Sequence, residues 1–264
     1  ITGGAGYIGA HIALMLLNNE HNVTVLDNFS NSNLNVINNL EALTKKRIKV
    51  CEADICNKED LNKIFNNQQF EAVIHLAADP SPMASWENVR EHNIEAMYQV
   101  VEECVRSNVR RLVFASTNHT MHGNTILTSP ETLDVAKSVR MKLSDQPNPD
   151  SLYAVSKLFG EHLGKLYSEK WGLEFISLRI GWTIKEDDPT VMRDTPSEDY
   201  MRAMFLSQRD CIQAHIRALQ VESRFLIAFI VSNNRRRVFD LEETKINLGF
   251  EPKDDAEEFF AQEK

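Results

Sequence analysis

The sequence predicts an α/β fold, a doubly wound parallel sheet with a small C-terminal annex. Two observations predict it. Short apolar runs alternate with amphipathic stretches through the first two thirds of the 264 residues, and a glycine turn, Gly3-Gly4-Ala5-Gly6-Tyr7-Ile8-Gly9, opens the first of those stretches. Strands that alternate with helices imply βαβ units, and right-handed crossovers then place helices on both faces of a mostly parallel sheet.

The glycine turn follows a strand and starts a helix. One glycine permits the tight turn, one lets backbone approach a pyrophosphate, and one lets helix and strand pack closely. Only Ile1 and Thr2 precede it, whereas a strand usually has about five residues, so the first strand is expected to be cut short and to lack a few residues. Residues 7–19 carry Ile8, Ile12, Leu16 and Leu17 on one helical face. Val23-Thr24-Val25-Leu26 is the next strand and ends at Asp27. A helix over 34–44, a strand over 48–51, a helix over 58–65 and a strand over 72–76 follow. One long helix is predicted over 86–107, a strand over 111–116, a helix from Ser151 to before Gly172, and a strand over 175–180.

The pattern then loosens. Lys185 to Ser197 is rich in charge and proline and reads as a mobile loop; 206–219 and 241–248 read as helices and 225–231 as a strand. Residues 121–150 lack periodicity and are expected to cross the mouth of the site. The division that follows is 1–182 for a cofactor domain and 183–264 for a substrate-binding annex interleaved with it.

Composition narrows the function classes. A net charge of −9 argues against nucleic acid as a partner, and Arg235-Arg236-Arg237 reads as a solvated turn, with a phosphate-binding patch as its alternative. Cys51, Cys56, Cys104 and Cys211 form no Cys-x-x-Cys pair, so no metal is expected and a reducing cytoplasm is the simplest setting. No run reaches about 18 apolar residues, the length of a membrane span, and no signal peptide is visible.

Ligands of parallel sheets bind at the carboxyl ends of the strands. That edge collects the glycine turn, Asp27, Asp54, Ala77-Ala78 and Ser116-Thr117. A carboxylate at Asp27 accepts both hydroxyls of an adenosine ribose and repels a 2′-phosphate, which favours NAD over NADP. Asp54 reads either as an adenine contact or as a turn aspartate. Further along, Tyr153-Ala154-Val155-Ser156-Lys157 puts a phenol and an ammonium on one helical face, a turn apart. The ammonium is expected to stabilise phenolate and bring Tyr153 toward useful acid–base range, with the Thr117 hydroxyl beside it on the substrate oxygen.

These residues resemble the extended short-chain dehydrogenase/reductase family, which includes NAD-dependent epimerases and dehydratases, over nearly the whole chain. The resemblance implies a Rossmann-like fold and NAD held by Gly3, Gly6, Tyr7, Ile8, Gly9, Asp27, Asn28, Asp54, Ile55, Leu76, Ala77, Ala78, Tyr153 and Lys157. It implies Thr117, Tyr153 and Lys157 as catalytic residues. Asn93 would be a member of a proton relay, with a structural asparagine as its alternative. Residues 1–76 look most like UDP-galactose 4-epimerase, through the glycine turn and Leu26-Asp27-Asn28-Phe29-Ser30. From Leu76 onward the chain looks like the uronate dehydrogenases and the haloarchaeal NAD-dependent glucose-6-phosphate dehydrogenases. The segments that carry this are Asp79-Pro80-Ser81-Pro82, Phe114 to His119, Leu178 to Trp182, and Phe205 to Cys211.

By the same resemblance Asn118 and His119 contact substrate, with Ser81 as a further contact. His119 can donate to a hydroxyl, carboxylate or phosphate; a structural histidine is the alternative. Arg202 is the candidate grip for an acidic sugar, alongside Arg193 and Arg209. Trp182 stands where uronate dehydrogenases have serine, which turns the expectation toward a neutral or phosphorylated sugar. The leading expectation is an NAD-dependent oxidation of the anomeric carbon of a hexose, hexuronate or hexose 6-phosphate to a lactone. A UDP-hexose 4-epimerase with retained NAD is the second, and a non-catalytic NAD-responsive binding protein the third. Only about 80 residues follow Trp182, few for gripping a UDP-sugar. Helices 86–107 and 151–171 resemble the pair through which relatives form homodimers.

Overall fold

The computed structural model describes residues 1–123 and 140–261. Most of the stretch expected to cross the site's mouth lies outside those residues. The sheet contains β1 (Thr24–Asp27), β2 (Lys49–Glu52), β3 (Ala72–His75), β4 (Arg111–Thr117), β5 (Glu174–Ile180) and β6 (Phe225–Ile230). Pairing is parallel throughout, β1 with β2 and β3-β4-β5-β6 in order. Thr2 joins the two halves by bridging Leu26 on one side and His75 on the other. Thr2 N donates to Ile74 O (3.0 Å) and Gly3 N to Leu26 O (2.9 Å). Residues 1–3 therefore hold the central position, and strand order reverses there.

Helices cover both faces. On one, α1 (Tyr7–Asn18) and α9 (Gln208–Gln220) bury Ile12, Leu16, Ala214 and Ala218 against Ile74, Val113, Ile176 and Leu178. On the other, α3 (Lys58–Asn67), α5 (Ala96–Arg106) and α7 (Leu152–Trp171) bury Leu61, Val100 and Tyr167 against Val73, Leu112, Phe114 and Phe175. Successive strand residues thus point into opposite cores, as a sheet buried on both sides requires. Each fully buried Phe or Leu side chain is worth roughly 1.5–3 kcal/mol.

Local signals set the helix ends. Asn57 caps α3 by accepting from Asp60 N at 3.2 Å. Ser151 caps α7 at Ala154 N, and Gly172 ends it at φ +75°. The helix predicted over 86–107 is not uniform. It runs as α4 (Trp86–Val89), a π-helical segment Arg90–Glu95, and α5. The wider turn changes which residues face inward, something an apolar period of 3.6 cannot reveal.

Beyond residue 182, β6 continues the sheet and α9 covers one face of it. A 3₁₀ turn (Pro189–Met192), α8 (Glu198–Met204) and α11 (Ala256–Phe260) gather around Ile184, Met201, Phe205 and Ala256. The stretch read as a loop over 185–197 therefore contains that turn.

A buried ion pair ties α7 to β5. Arg179 donates to Glu161 at 2.9 and 2.7 Å, and Ser116 Oγ donates to the same carboxylate at 2.6 Å. Both charged side chains are almost wholly buried. Replacing Glu161 with Ala leaves the guanidinium without its partner. We expect a loss of about 3–5 kcal/mol in urea denaturation.

Candidate active site

A cleft of about 1210 Å³ runs along the carboxyl edge of the sheet. Every residue assigned from the sequence to the coenzyme lines it: the glycine turn with Tyr7 and Ile8, Asp27 and Asn28, Asp54 and Ile55, Leu76 to Ala78, and Tyr153 with Lys157.

The turn is built for close approach. Gly3 sits at φ +65°, and a Cβ on Gly9 would lie 2.3 Å from Gly3 O. A Cβ on Gly6 would meet only Gly3 O within 4 Å, at 3.3 Å, so it would project into the cleft that Gly6 lines. That space and the N-terminus of α1 fit a pyrophosphate. Asp27 is buried at the end of β1; its Oδ2 accepts from Ala5 N (2.9 Å) and its Oδ1 from Phe29 N (3.0 Å) and Ser32 Oγ (2.9 Å). The carboxylate is thereby fixed in place, with acceptor capacity left on Oδ2. These features fit NAD.

Thr117, Tyr153 and Lys157 meet at the other end of the cleft. Thr117 hydrogen-bonds the Tyr153 phenol and donates to Asn118 Oδ1 at 3.2 Å. Lys157 Nζ lies 5.7 Å from the Tyr153 ring centroid and 5.0 Å from that of Phe114. The net shift of Tyr153 is upward, where the sequence led us to expect the neighbouring ammonium to bring it down. Burial pushes Tyr153 up to about 12; Thr117 opposes this, while Asp150 and Asp79 add to it. Burial pulls Lys157 down to about 8.

His119 pairs through Nδ1 with Asp150 Oδ2 at 2.6 Å, and its ring stands 6.1 Å from Tyr153 and 6.3 Å from Tyr200. In the neutral ring, Asp150 takes the Nδ1 hydrogen and Nε2 carries a lone pair. That form can accept a hydrogen bond through Nε2, where the sequence led us to expect a donor at His119. Asn118 lines the cleft; it is buried, and its Nδ2 donates to the Tyr200 hydroxyl at 2.6 Å. Trp182 packs 5.5 Å from Tyr200. Asp150 and Tyr200 escaped the sequence reading, since nothing in their spacing ties them to Tyr153.

Three assignments fall outside the cleft. Asn93 is buried in the π-helical segment; it accepts from Asp79 N (2.8 Å) and donates to Asp79 O (3.0 Å) and Ser156 Oγ (3.1 Å). It pins the Asp79 loop to α7, and both its N–H bonds are spent. Ser81 is exposed in that loop, where its hydroxyl accepts from Met83 N. Arg202 is held by Glu198 (2.6 Å) and Glu257 (2.9 Å) and stacks 3.8 Å over Phe260. The other arginines are committed too, Arg193 to Phe260 and Arg209 to Asp254. No arginine lines the cleft among the described residues.

The NAD dependent epimerase/dehydratase family model matches residues 1–184. The chain belongs to that family. Like its relatives, this NAD-dependent family member is an enzyme. It is 35% identical over 265 residues to an L-arabinose 1-dehydrogenase (NAD(P)(+)) of Haloferax volcanii, covering 97% of this chain and 96% of the relative. It is 31% identical over 191 residues to an NAD-dependent glucose-6-phosphate dehydrogenase of the same organism, covering 71% of this chain and 70% of the relative. Among solved structures, uronate dehydrogenase from Agrobacterium tumefaciens superposes with a TM-score of 0.77 at 23% identity, over 98% of this chain and 85% of that one. The last likeness shows the shared fold.

The commitment of Arg202 gives a direct expectation. Arg202→Ala leaves the KM for coenzyme and for sugar within about two-fold, and costs about 1 kcal/mol of stability by thermal denaturation, as for a partly exposed ion pair.

Proposed function

We propose that this family member oxidises the anomeric carbon of a small neutral aldose to its lactone. One observation carries the choice of substrate: around Tyr153 the cleft holds the carboxylates Asp79 and Asp150 and no arginine among the described residues, and its cations are Lys157, beside the phenol, and Lys185. A uronate or sugar phosphate would meet like charge there. A neutral sugar meets hydrogen-bonding groups and the rings of Trp182, Tyr200 and His119. The likeness to an arabinose dehydrogenase over nearly both full lengths supports the same reading.

The coenzyme, when bound, supplies the hydride acceptor. Tyr153 takes the proton of the anomeric hydroxyl, and Thr117 orients that oxygen. Lys157 stabilises the phenolate. His119, held by Asp150, accepts from a ring hydroxyl. Residues 183–264 contribute Tyr200 as the substrate-facing annex. We further read the enzyme as a cytoplasmic homodimer. The four free thiols suit a reducing compartment, and Trp86, Tyr98, Leu152, Val155 and Trp171 expose large apolar surface on the two helices assigned to pairing.

The N-terminal likeness to 4-epimerases sustains a second reading, in which the cleft retains NAD and no net NADH forms. Absorbance of NADH with a panel of neutral pentoses and hexoses, hexuronates, hexose 6-phosphates and UDP-hexoses separates the two. Turnover of neutral aldoses is expected. UDP-galactose converting to UDP-glucose without NADH would replace this proposal with the epimerase, and well-folded, NAD-binding protein silent across the panel would favour a binding role.

Tyr153→Phe is expected to lower kcat by at least about 10²-fold, the usual contribution of a positioned general base, with folding intact by circular dichroism. The phenol and ammonium form a coupled pair. With burial setting them near 12 and 8, the pair sheds its first proton near pH 8. Oxidation needs the deprotonated pair, so kcat/KM rises with pH through about 8. Lys157→Met removes the cation that favours phenolate, so the rising limb moves to higher pH.

A further inference from the structure

Asp54, Cys56 and His92 come together at one side of the cleft. Their candidate ligand atoms all lie within 4.8 Å of one another. Cys56 Sγ is 3.2 Å from His92 Nδ1, and the thiol also hydrogen-bonds the Asp54 carboxylate. Two elements supply them: the turn after β2 carries Asp54 and Cys56, and the π-helical segment carries His92. The turn is fixed by Asp54 Oδ1 accepting from Cys56 N at 2.8 Å, and its other oxygen accepts from Asn28 Nδ2 at 2.9 Å. Glu91 and Glu95 stand near enough to add negative potential.

A thiol, an imidazole and a carboxylate are the donor set of zinc more than of magnesium or calcium. Zinc bonds of about 2.0–2.3 Å place ligand atoms of a tetrahedral site three to four ångströms apart, close to this triangle. Three protein ligands leave a fourth position open. Asp54 and His92 both line the cleft, and Cys56 does not, so an ion here would stand at the cleft wall with the thiol behind it.

We propose that Asp54, Cys56 and His92 bind Zn²⁺ at the edge of the coenzyme cleft and that the bound ion excludes NAD. The ion takes the carboxylate assigned to the adenine end, so zinc inhibits by competition with coenzyme and not with sugar. This second half rests on the cleft being the NAD site; the binding half does not.

The test separates the two. Protein freed of metal with a chelator is titrated with Co²⁺, and the thiolate-to-cobalt charge-transfer band is followed. The band is expected to saturate at one equivalent, to vanish in Cys56→Ser, and to persist in Cys51→Ser. Zn²⁺ is expected to displace it. No band, or a band unchanged in Cys56→Ser, overturns the site whatever the enzyme's activity. In steady-state assays Zn²⁺ raises the KM for NAD at unchanged kcat, and Cys56→Ser weakens the inhibition at least ten-fold while keeping the uninhibited kcat. Inhibition equal in Cys56→Ser and wild type, or inhibition that NAD does not relieve, overturns the exclusion of coenzyme.

Discussion

The close approach of Gly9 to Gly3 is the constraint on which the rest of this structure depends. The backbone of α1 can settle on the end of the first strand only because no side chain separates Gly9 from the Gly3 carbonyl. That contact sets the N-terminus of α1 at the point where strand order reverses, between β1 and β3. The cleft opens there because crossovers on the two sides leave in opposite directions. Asp27 extends the arrangement, since the carboxylate that ends β1 accepts from Ala5 within the turn. The turn and the carboxylate therefore hold each other, and one displaced glycine would disturb both.

The coenzyme half was legible in the sequence because its contacts are local. Glycines at fixed offsets and single residues at strand ends need only the strand order to become neighbours, and all of them line the cleft. The sugar half was less legible because its wall is assembled from separate elements. Tyr200 comes from α8, Asp150 from just before α7, and Trp182 from just after β5. Nothing in their individual surroundings marks them. Arg202 was misplaced for a chemical reason, since guanidinium suits carboxylate recognition. The sign against it stood in the chain: Glu198 lies four residues earlier, one turn away on the same helix face, and takes the arginine. Asn93 was placed on the right helix but inside a π-helical turn, where its amide reaches the Asp79 backbone. Ser81 stands in the right loop, but its neighbours Asp79, Pro80 and Pro82 are the ones lining the cleft.

The arginines of the annex show where positive charge is used. Arg202 and Arg193 stack on Phe260, and Arg235 pairs with Asp255. These contacts fasten α8 and α11 to each other and to the preceding turn. The ion pairs supplement a buried apolar core in which Met201, Phe205, Phe239 and Phe250 are fully enclosed. Arg202, Arg209 and Arg235 are held by structural carboxylates, and the annex reaches the cleft wall through Tyr200, against which Trp182 of the preceding segment packs.

The same electrostatics bear on the base. Tyr153 and Lys157 are displaced in opposite senses by one cause, since burial penalises the charged form of each. Burial thus favours the uncharged pair, phenol beside amine, once pH rises past about 8. Burial makes phenolate harder to form and also a stronger base when formed. Asp79 and Asp150 act in the same direction, and Thr117 alone among the named neighbours opposes them. On the proposed reading, the carboxylates that disfavour an anionic sugar also keep Tyr153 a strong base, while Lys157 offsets part of the cost of forming phenolate.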